Sequence, residues 1–236
     1  MTMITENLQR VQSRLAQACT DAGRSAGSVQ LLAVSKTFGP DAVAQAHACG
    51  QTAFGENYIQ EAVNKITTLA HLPLEWHCIG PLQSNKTRLV AEHFQWVHTV
   101  DRLKIAQRLS EQRPLHLPPL QVCIQVNVDA GDTKSGVAPP EALALAQAVV
   151  LLPRLQLRGL MCIPEPAPDF IAACAVFMRA RALFDAINAA GVTLDTLSMG
   201  MSTDLEAAVH SGSTLVRVGS AIFGARPTSP LAPESA

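Results

Sequence analysis

The chain alternates between short apolar runs and helical periodicities, and it does so eight times, a pattern few folds accommodate. The strand candidates are Gln30–Ser35, Ala53–Glu56, Glu75–Ile79, Trp96–Thr99, Leu120–Val126, Leu157–Met161, Thr196–Ser198 and Leu215–Val218. Helical spacings fill the intervals near 41–49, 58–69, 84–92, 102–112, 140–152, 169–190 and 204–211, and a last helix starts at Ser220. Continuous aliphatic runs belong to strands buried on both faces, and strand–helix alternation builds right-handed βαβ units around a parallel sheet. Eight units predict an α/β fold, a single (β/α)8 TIM barrel spanning 1–226. A doubly wound open sheet competes with it, and periodicity alone leaves that choice open. Ahead of the first strand, Ile4, Leu8, Val11, Leu15 and Ala18 fall at helical spacing, so an extra N-terminal helix is expected within residues 1–22. Residues 227–236, with Pro227, Pro230 and Pro233, read as a frayed, disordered tail.

In either fold the carboxyl ends of the strands gather on one face, where α/β proteins place their chemistry. The first strand, Leu31-Leu32-Ala33-Val34-Ser35-Lys36-Thr37, delivers one amine to that face. Such a lysine forms a Schiff base or pairs with a carboxylate at the mouth, and position alone leaves both open. Its companions there are Glu56-Asn57, His77 to Pro81, Asn127, Met161, Ser198 to Ser202 and Arg217 to Ser220.

Two turns on adjacent strands point to an anion. Ser198-Met199-Gly200-Met201-Ser202-Thr203-Asp204-Leu205-Glu206 holds a glycine turn and then what reads as a capping box, Thr203 paired with Glu206. Gly219-Ser220 opens the final helix. Helix starts present free N–H groups to phosphate, and barrels often seat phosphate between their seventh and eighth loops. Ordinary capping accounts for either turn alone. Arg217, polar within Leu215-Val216-Arg217-Val218, needs a ligand acceptor or a salt bridge to Glu56 or Glu75.

A lysine, a phosphate cup and an arginine at one rim suggest pyridoxal 5′-phosphate (PLP). The amine would take the aldehyde as an imine, the cup the phosphate, and the arginine would face the ring nitrogen. Imine formation requires a neutral amine, so a reference pKa of about 10.4 must fall by ~3 units, on the order of 4 kcal/mol.

Composition fits this. Of 236 residues, 48% are hydrophobic and 16% charged, enough for one large core, and the net charge of −1 offers no footprint for nucleic acid or an anionic membrane. Six cysteines, with no CxxC pair, sit mostly in apolar runs as small hydrophobes, which fits a reducing compartment. Residues 1–10 lack a signal-peptide core and no window approaches about 18 apolar residues, so a soluble, cytoplasmic protein is expected.

The chain closely resembles the pyridoxal phosphate homeostasis proteins (the YggS-type family), barrels similar to the N-terminal domain of alanine racemase. The resemblance is carried by Leu32-Ala33-Val34-Ser35-Lys36-Thr37, Phe54-Gly55-Glu56-Asn57-Tyr58 and Trp76-His77-Cys78-Ile79-Gly80-Pro81-Leu82-Gln83-Ser84-Asn85-Lys86. Lys134-Ser135-Gly136, Arg158-Gly159-Leu160-Met161, Ser198-Met199-Gly200-Met201-Ser202 and Val216-Arg217-Val218-Gly219-Ser220-Ala221-Ile222-Phe223-Gly224 continue it in the family's order. It implies a fold-type III PLP barrel in which Lys36 carries the cofactor as an internal aldimine. It further implies that Ser202, Gly219 and Ser220 contact phosphate, that Arg217 faces the pyridine nitrogen and that Asn57 lies beside the ring, with Met201 also in the cofactor-binding set. Ser220 stands where many members carry threonine, which keeps the hydroxyl.

Carrier and catalyst can be weighed on the same residues. A permanently charged arginine disfavours a protonated pyridine and weakens the cofactor as an electron sink. A racemase of this fold adds a tyrosine acid/base from a second β domain. No such domain is expected here, and the only tyrosine is Tyr58. The expectation is therefore a monomeric carrier that holds PLP and releases it to PLP-dependent apo-enzymes or free amines. A PLP-dependent racemase or lyase, and an aldolase whose Lys36 attacks a sugar phosphate directly, are the alternatives. His77, in a strand, reads as a core residue or as a support behind the site rather than a catalytic group, and His93 and His98 lack a third ligand at metal spacing. Neither a Gly-x-Gly-x-x-Gly nor a P-loop pattern is present. Lys86 and Lys134 read as solvated loop lysines, or as aids to cofactor entry and exit.

Overall fold

The computed structural model describes residues 2–129 and 135–225. Eight parallel strands follow one another around a closed barrel: β1 Gln30–Val34, β2 Ala53–Glu56, β3 Glu75–Cys78, β4 Trp96–Val100, β5 Leu120–Gln125, β6 Leu155–Met161, β7 Thr196–Ser198 and β8 Leu215–Val218. Closure rests on β1 pairing with β8, Leu32 opposite Arg217 and Ala33 opposite Val218. That pairing rules out the open sheet. The helices are α1 Met3–Asp21, α2 Pro40–Ala48, α3 Ile59–Thr68, α4 Thr87–His93, α5 Leu103–Gln112, α6 Ala142–Val150, α7 Phe170–Ala189, α8 Leu205–His210 and α9 Ser220–Phe223. Strand and helix limits fall within two residues of the expected ones, except at residues 84–86 and 139–141, which wind as 3-10 turns. The expected tail, 227–236, lies outside the described residues.

Two-residue alternation sorts the strand side chains. Leu31, Ala33, Phe54, Trp76, Val97, Val122 and Val216 face the helices and build the main core. Inside the barrel are two smaller apolar groups, Leu32 with Val34, Ala53, Ile79 and Leu215, and Trp96 with Cys123 and Met161. The helix α1 begins at a Thr2 cap that accepts from the Thr5 N–H, then buries Ile4, Leu8, Val11 and Leu15. It packs across α8 and α9, the helices that follow the last two strand ends.

The six cysteines are free thiols. Burial pushes Cys78, Cys123 and Cys162 up to about 12, so they pack as small hydrophobes rather than react. No helix among the described residues is long and apolar enough to cross a membrane.

Candidate functional site: the carboxyl-end mouth of the barrel

A cavity of about 330 Å³ opens at the carboxyl ends of the strands. All seven residues singled out from the sequence line it: Lys36, Asn57, Met201, Ser202, Arg217, Gly219 and Ser220. The pleat explains how Lys36 arrives there. Leu32 and Val34 point into the barrel, so the next residue in phase, Lys36, rises at its mouth.

The residues flanking Lys36 are anchored on the outer side of the sheet. Ser35 Oγ donates to Glu56 Oε1 (2.6 Å), and Lys65 of α3 donates to that same oxygen (2.7 Å) and to the Ser35 carbonyl (2.8 Å). Glu61 also pairs with Lys65 at 2.7 Å and accepts from the Thr37 N–H at 2.8 Å. Burial lifts the Glu56 carboxyl above its ordinary range, against the opposing pull of Lys65. Thr37 holds φ +70°, a left-handed conformation that is strained for a β-branched residue. Lys36 thus sits between two positions whose backbone is pinned by one buried charge cluster.

The far wall comes from β7 and β8. Arg217 Nη1 donates to the Ser198 carbonyl (2.8 Å) and to Ser198 Oγ (2.7 Å), and Nη2 donates to the Cys162 carbonyl (2.9 Å). The expected salt-bridge alternatives are occupied elsewhere, because Glu56 pairs with Lys65 and Glu75 with His77. Burial lowers the Arg217 pKa from its usual value, yet a guanidinium remains charged in a protein. Gly219 lets this wall close on β1, since a Cβ there would stand 3.1 Å from the Val34 carbonyl oxygen. On the third side Gly80 passes so close to the backbone of Asn57 that a Cβ at Gly80 would collide with the Asn57 carbonyl oxygen. The Asn57 side-chain oxygen is buried without a partner among the described residues.

The capping box expected at Thr203 and Glu206 does not form. Asp204, rather than Thr203, is the N-cap of α8, which places Glu206 one position too early for a box. Arg14 of α1 instead forks onto the Glu206 carboxylate (2.5 and 2.6 Å) and donates to the Ser202 carbonyl at 2.7 Å. The Met201–Asp204 turn is closed by Asp204 Oδ1, which accepts from the Met201 N–H at 2.6 Å. The hydroxyl residues Ser202 and Thr203 remain at the cavity wall.

Other candidates fall away from the cavity. His77 is in the barrel interior, Lys86 in a 3-10 turn and Tyr58 is 53% exposed at the start of α3. Lys134 lies outside the described residues. Sequence reasoning missed Lys65, which looks like one more polar position of α3 until the apolar phase of Ile59 and Ala62 is followed to it. It missed Arg14 as well, on the polar side of α1.

Residues 4–227 match the family of the alanine racemase N-terminal domain. A pyridoxal phosphate homeostasis protein of Pseudomonas aeruginosa is 60% identical over 226 residues, covering 96% of this chain and 97% of that protein. One from Escherichia coli is 52% identical, covering 96% and 98%. PipY of Synechococcus elongatus, solved with PLP bound, superposes with a TM-score of 0.82 at 37% identity, over 94% of this chain and all of that one. An alanine racemase from Corynebacterium glutamicum shares the fold at a TM-score of 0.69 and 19% identity, the match spanning 98% of this chain and 63% of the racemase. With the barrel closed as these relatives' fold requires and their degree of identity sustained along nearly its whole length, the chain belongs to the pyridoxal phosphate homeostasis protein family, built on the alanine racemase N-terminal domain.

Proposed function

We propose that the mouth cavity binds pyridoxal 5′-phosphate covalently through Nζ of Lys36, and that the protein holds the coenzyme in the cytoplasm, as a monomer, and passes it to acceptors. The observation that carries this reading is one cavity lined at once by Lys36, by buried Arg217 and by hydroxyl turns at the ends of β7 and β8. The donor set fits the group. Ser202, Gly219 and Ser220 receive the phosphate, Arg217 faces the pyridine nitrogen, and Met201 and Asn57 flank the ring. The unpartnered buried oxygen of Asn57 is a polar atom that a ligand can satisfy. When bound, the coenzyme supplies an aldehyde carbon that bonds reversibly to a neutral amine.

The protein's own groups favour holding over turnover. Arg217, always a donor, leaves an unprotonated ring nitrogen as the partner that completes its hydrogen bonding. Among the described residues lining the cavity, only Lys36 and Arg217 ionise. Lys36 is therefore, among the described lining residues, the group able to take up and return a proton there. Acceptors, PLP-dependent apo-enzymes and free amines, then receive the coenzyme as Lys36 is released. The names borne by the relatives, and PLP in the PipY structure, support this assignment.

The test is an absorbance spectrum of the purified protein before and after borohydride reduction, with peptide mapping of the labelled residue. The expected result is a visible band that reduction abolishes, with the label on Lys36 and no band in Lys36→Ala. Protein that stays colourless and unlabelled after soaking in the coenzyme overturns the proposal. Steady-state amino-acid turnover that Lys36→Ala abolishes would replace the carrier reading with an enzymatic one.

A further inference from the structure

A continuous line of hydrogen bonds crosses the barrel interior, from the amino-terminal end of β3 to the cavity at the opposite end. Glu75 Oε1 meets His77 Nε2 at 2.9 Å, His77 Nδ1 meets His98 Nε2 at 2.9 Å, and His98 Nδ1 meets Ser198 Oγ at 2.9 Å. Arg217 Nη1 closes the line on the same Ser198 Oγ at 2.7 Å. Both histidines and Ser198 are fully buried. Glu75 is partly exposed, its side chain 37% accessible at the floor of the barrel.

The ends of this line permit one direction of donation. Ionised Glu75 only accepts and Arg217 only donates, while a neutral imidazole donates from one nitrogen and accepts at the other. His77 must then donate from Nε2 to Glu75, which leaves Nδ1 to accept from His98 Nε2–H. His98 Nδ1 in turn accepts from the Ser198 hydroxyl, whose oxygen accepts from Arg217. Burial holds both histidines below their ordinary pKa, in keeping with neutral rings, and the His77 hydrogen bond holds Glu75 below its own, in keeping with a carboxylate. No carboxylate lies within salt-bridge distance of Arg217 among the described residues.

We propose that Glu75 is a positioning residue for Arg217, turning the Ser198 hydroxyl proton toward His98, and so an oxygen lone pair toward the guanidinium, through the tautomers of His77 and His98. The carboxylate at the floor fixes the sense of donation along the whole line, from Glu75 to the Ser198 oxygen that Arg217 meets. It keeps a Ser198 lone pair aimed at the guanidinium, which fixes the remaining N–H groups of Arg217 toward the cavity. The consequence for the coenzyme rests on the binding reading above. The tautomers do not, because they belong to the protein alone.

Two measurements decide it. Nitrogen-15 NMR of the ligand-free protein should show His77 and His98 neutral and protonated at Nε2. Coenzyme affinity, read by spectral titration, should then fall several-fold in Glu75→Gln, which keeps an acceptor but removes the charge, and in Ser198→Ala. The double variant should bind no more weakly than Ser198→Ala, since both changes act on one contact. A histidine that is cationic or protonated at Nδ1 overturns the proposal, as do additive losses in the cycle. If the wild-type protein fails to bind coenzyme, the cavity reading falls and the tautomers alone decide the fate of the line.

Discussion

Lys65 Nζ lies 2.7 Å from Glu56 Oε1, an ion pair with side chains only 4% and 1% exposed, bonded to Ser35 just before Lys36. Removing one member leaves its partner buried without compensation, which costs about 3–5 kcal/mol. Lys65→Met should therefore destabilise the protein by that order in urea unfolding, and Glu56→Gln combined with Lys65→Met should recover most of the loss. A double variant no more stable than the single one would show that Lys65 acts through its bond to the Ser35 carbonyl instead.

Thr37 follows Lys36 with φ +70°, and its hydroxyl is buried without a partner among the described residues. Backbone strain of this kind costs about 1–3 kcal/mol and collects at functional sites. Thr37→Gly should raise the unfolding midpoint through relief of that strain while weakening coenzyme retention, because the chain after the lysine loses its fixed path. A lower midpoint would assign Thr37 a packing role that outweighs the strain.

Arg14 ties the first helix to the cavity wall through Glu206 and the Ser202 carbonyl. The pair is partly solvated, with side chains 35% and 43% exposed, so its stability contribution is small, about 1 kcal/mol or less. Arg14→Ala should change the melting temperature little and yet weaken binding of phosphorylated coenzyme more than of the unphosphorylated aldehyde. Equal losses for the two ligands would exclude an effect through Ser202.

The interior histidines make stability depend on pH. Their pKa values are depressed in the folded state, so the unfolded chain takes up protons first as pH falls through about 6.5. Stability present above that pH should be lost below it, by up to about 1.4 kcal/mol per pH unit for each histidine. Glu75, also depressed, acts in the same direction at lower pH, below about 4.3. Glu56, raised by burial, opposes it by favouring the folded state as pH falls through its elevated value. Urea unfolding at pH 7.5, 6.5 and 5.5 measures the slope, and His98→Phe should flatten it by about one proton. A flat wild-type profile over that range would mean that the folded state already carries the charges.

The barrel was legible because continuous apolar strands and amphipathic helices announce themselves by period, and Lys36 and Arg217 stood out as charges in phase with buried residues. Long-range polar pairing was not legible. Glu206 has the spacing of a capping partner, but spacing carries no information about Arg14, which reaches it from the first helix. The interior line had a partial signal: Glu75 and His77 share one face of their strand, and Trp96 and His98 share one face of theirs. Which strands stand opposite one another across a closed barrel fixes the rest, and only the three-dimensional pairing supplies that.

The hydrogen bonding of β1 to β8 has a consequence for synthesis. The first strand leaves the ribosome long before the eighth, so the lysine is made well ahead of the arginine and the hydroxyl turn it must face. Until the final strand docks against β1, the cavity wall formed by Arg217, Gly219 and Ser220 is missing. On the proposed reading, loading of the coenzyme would report that the ring has shut.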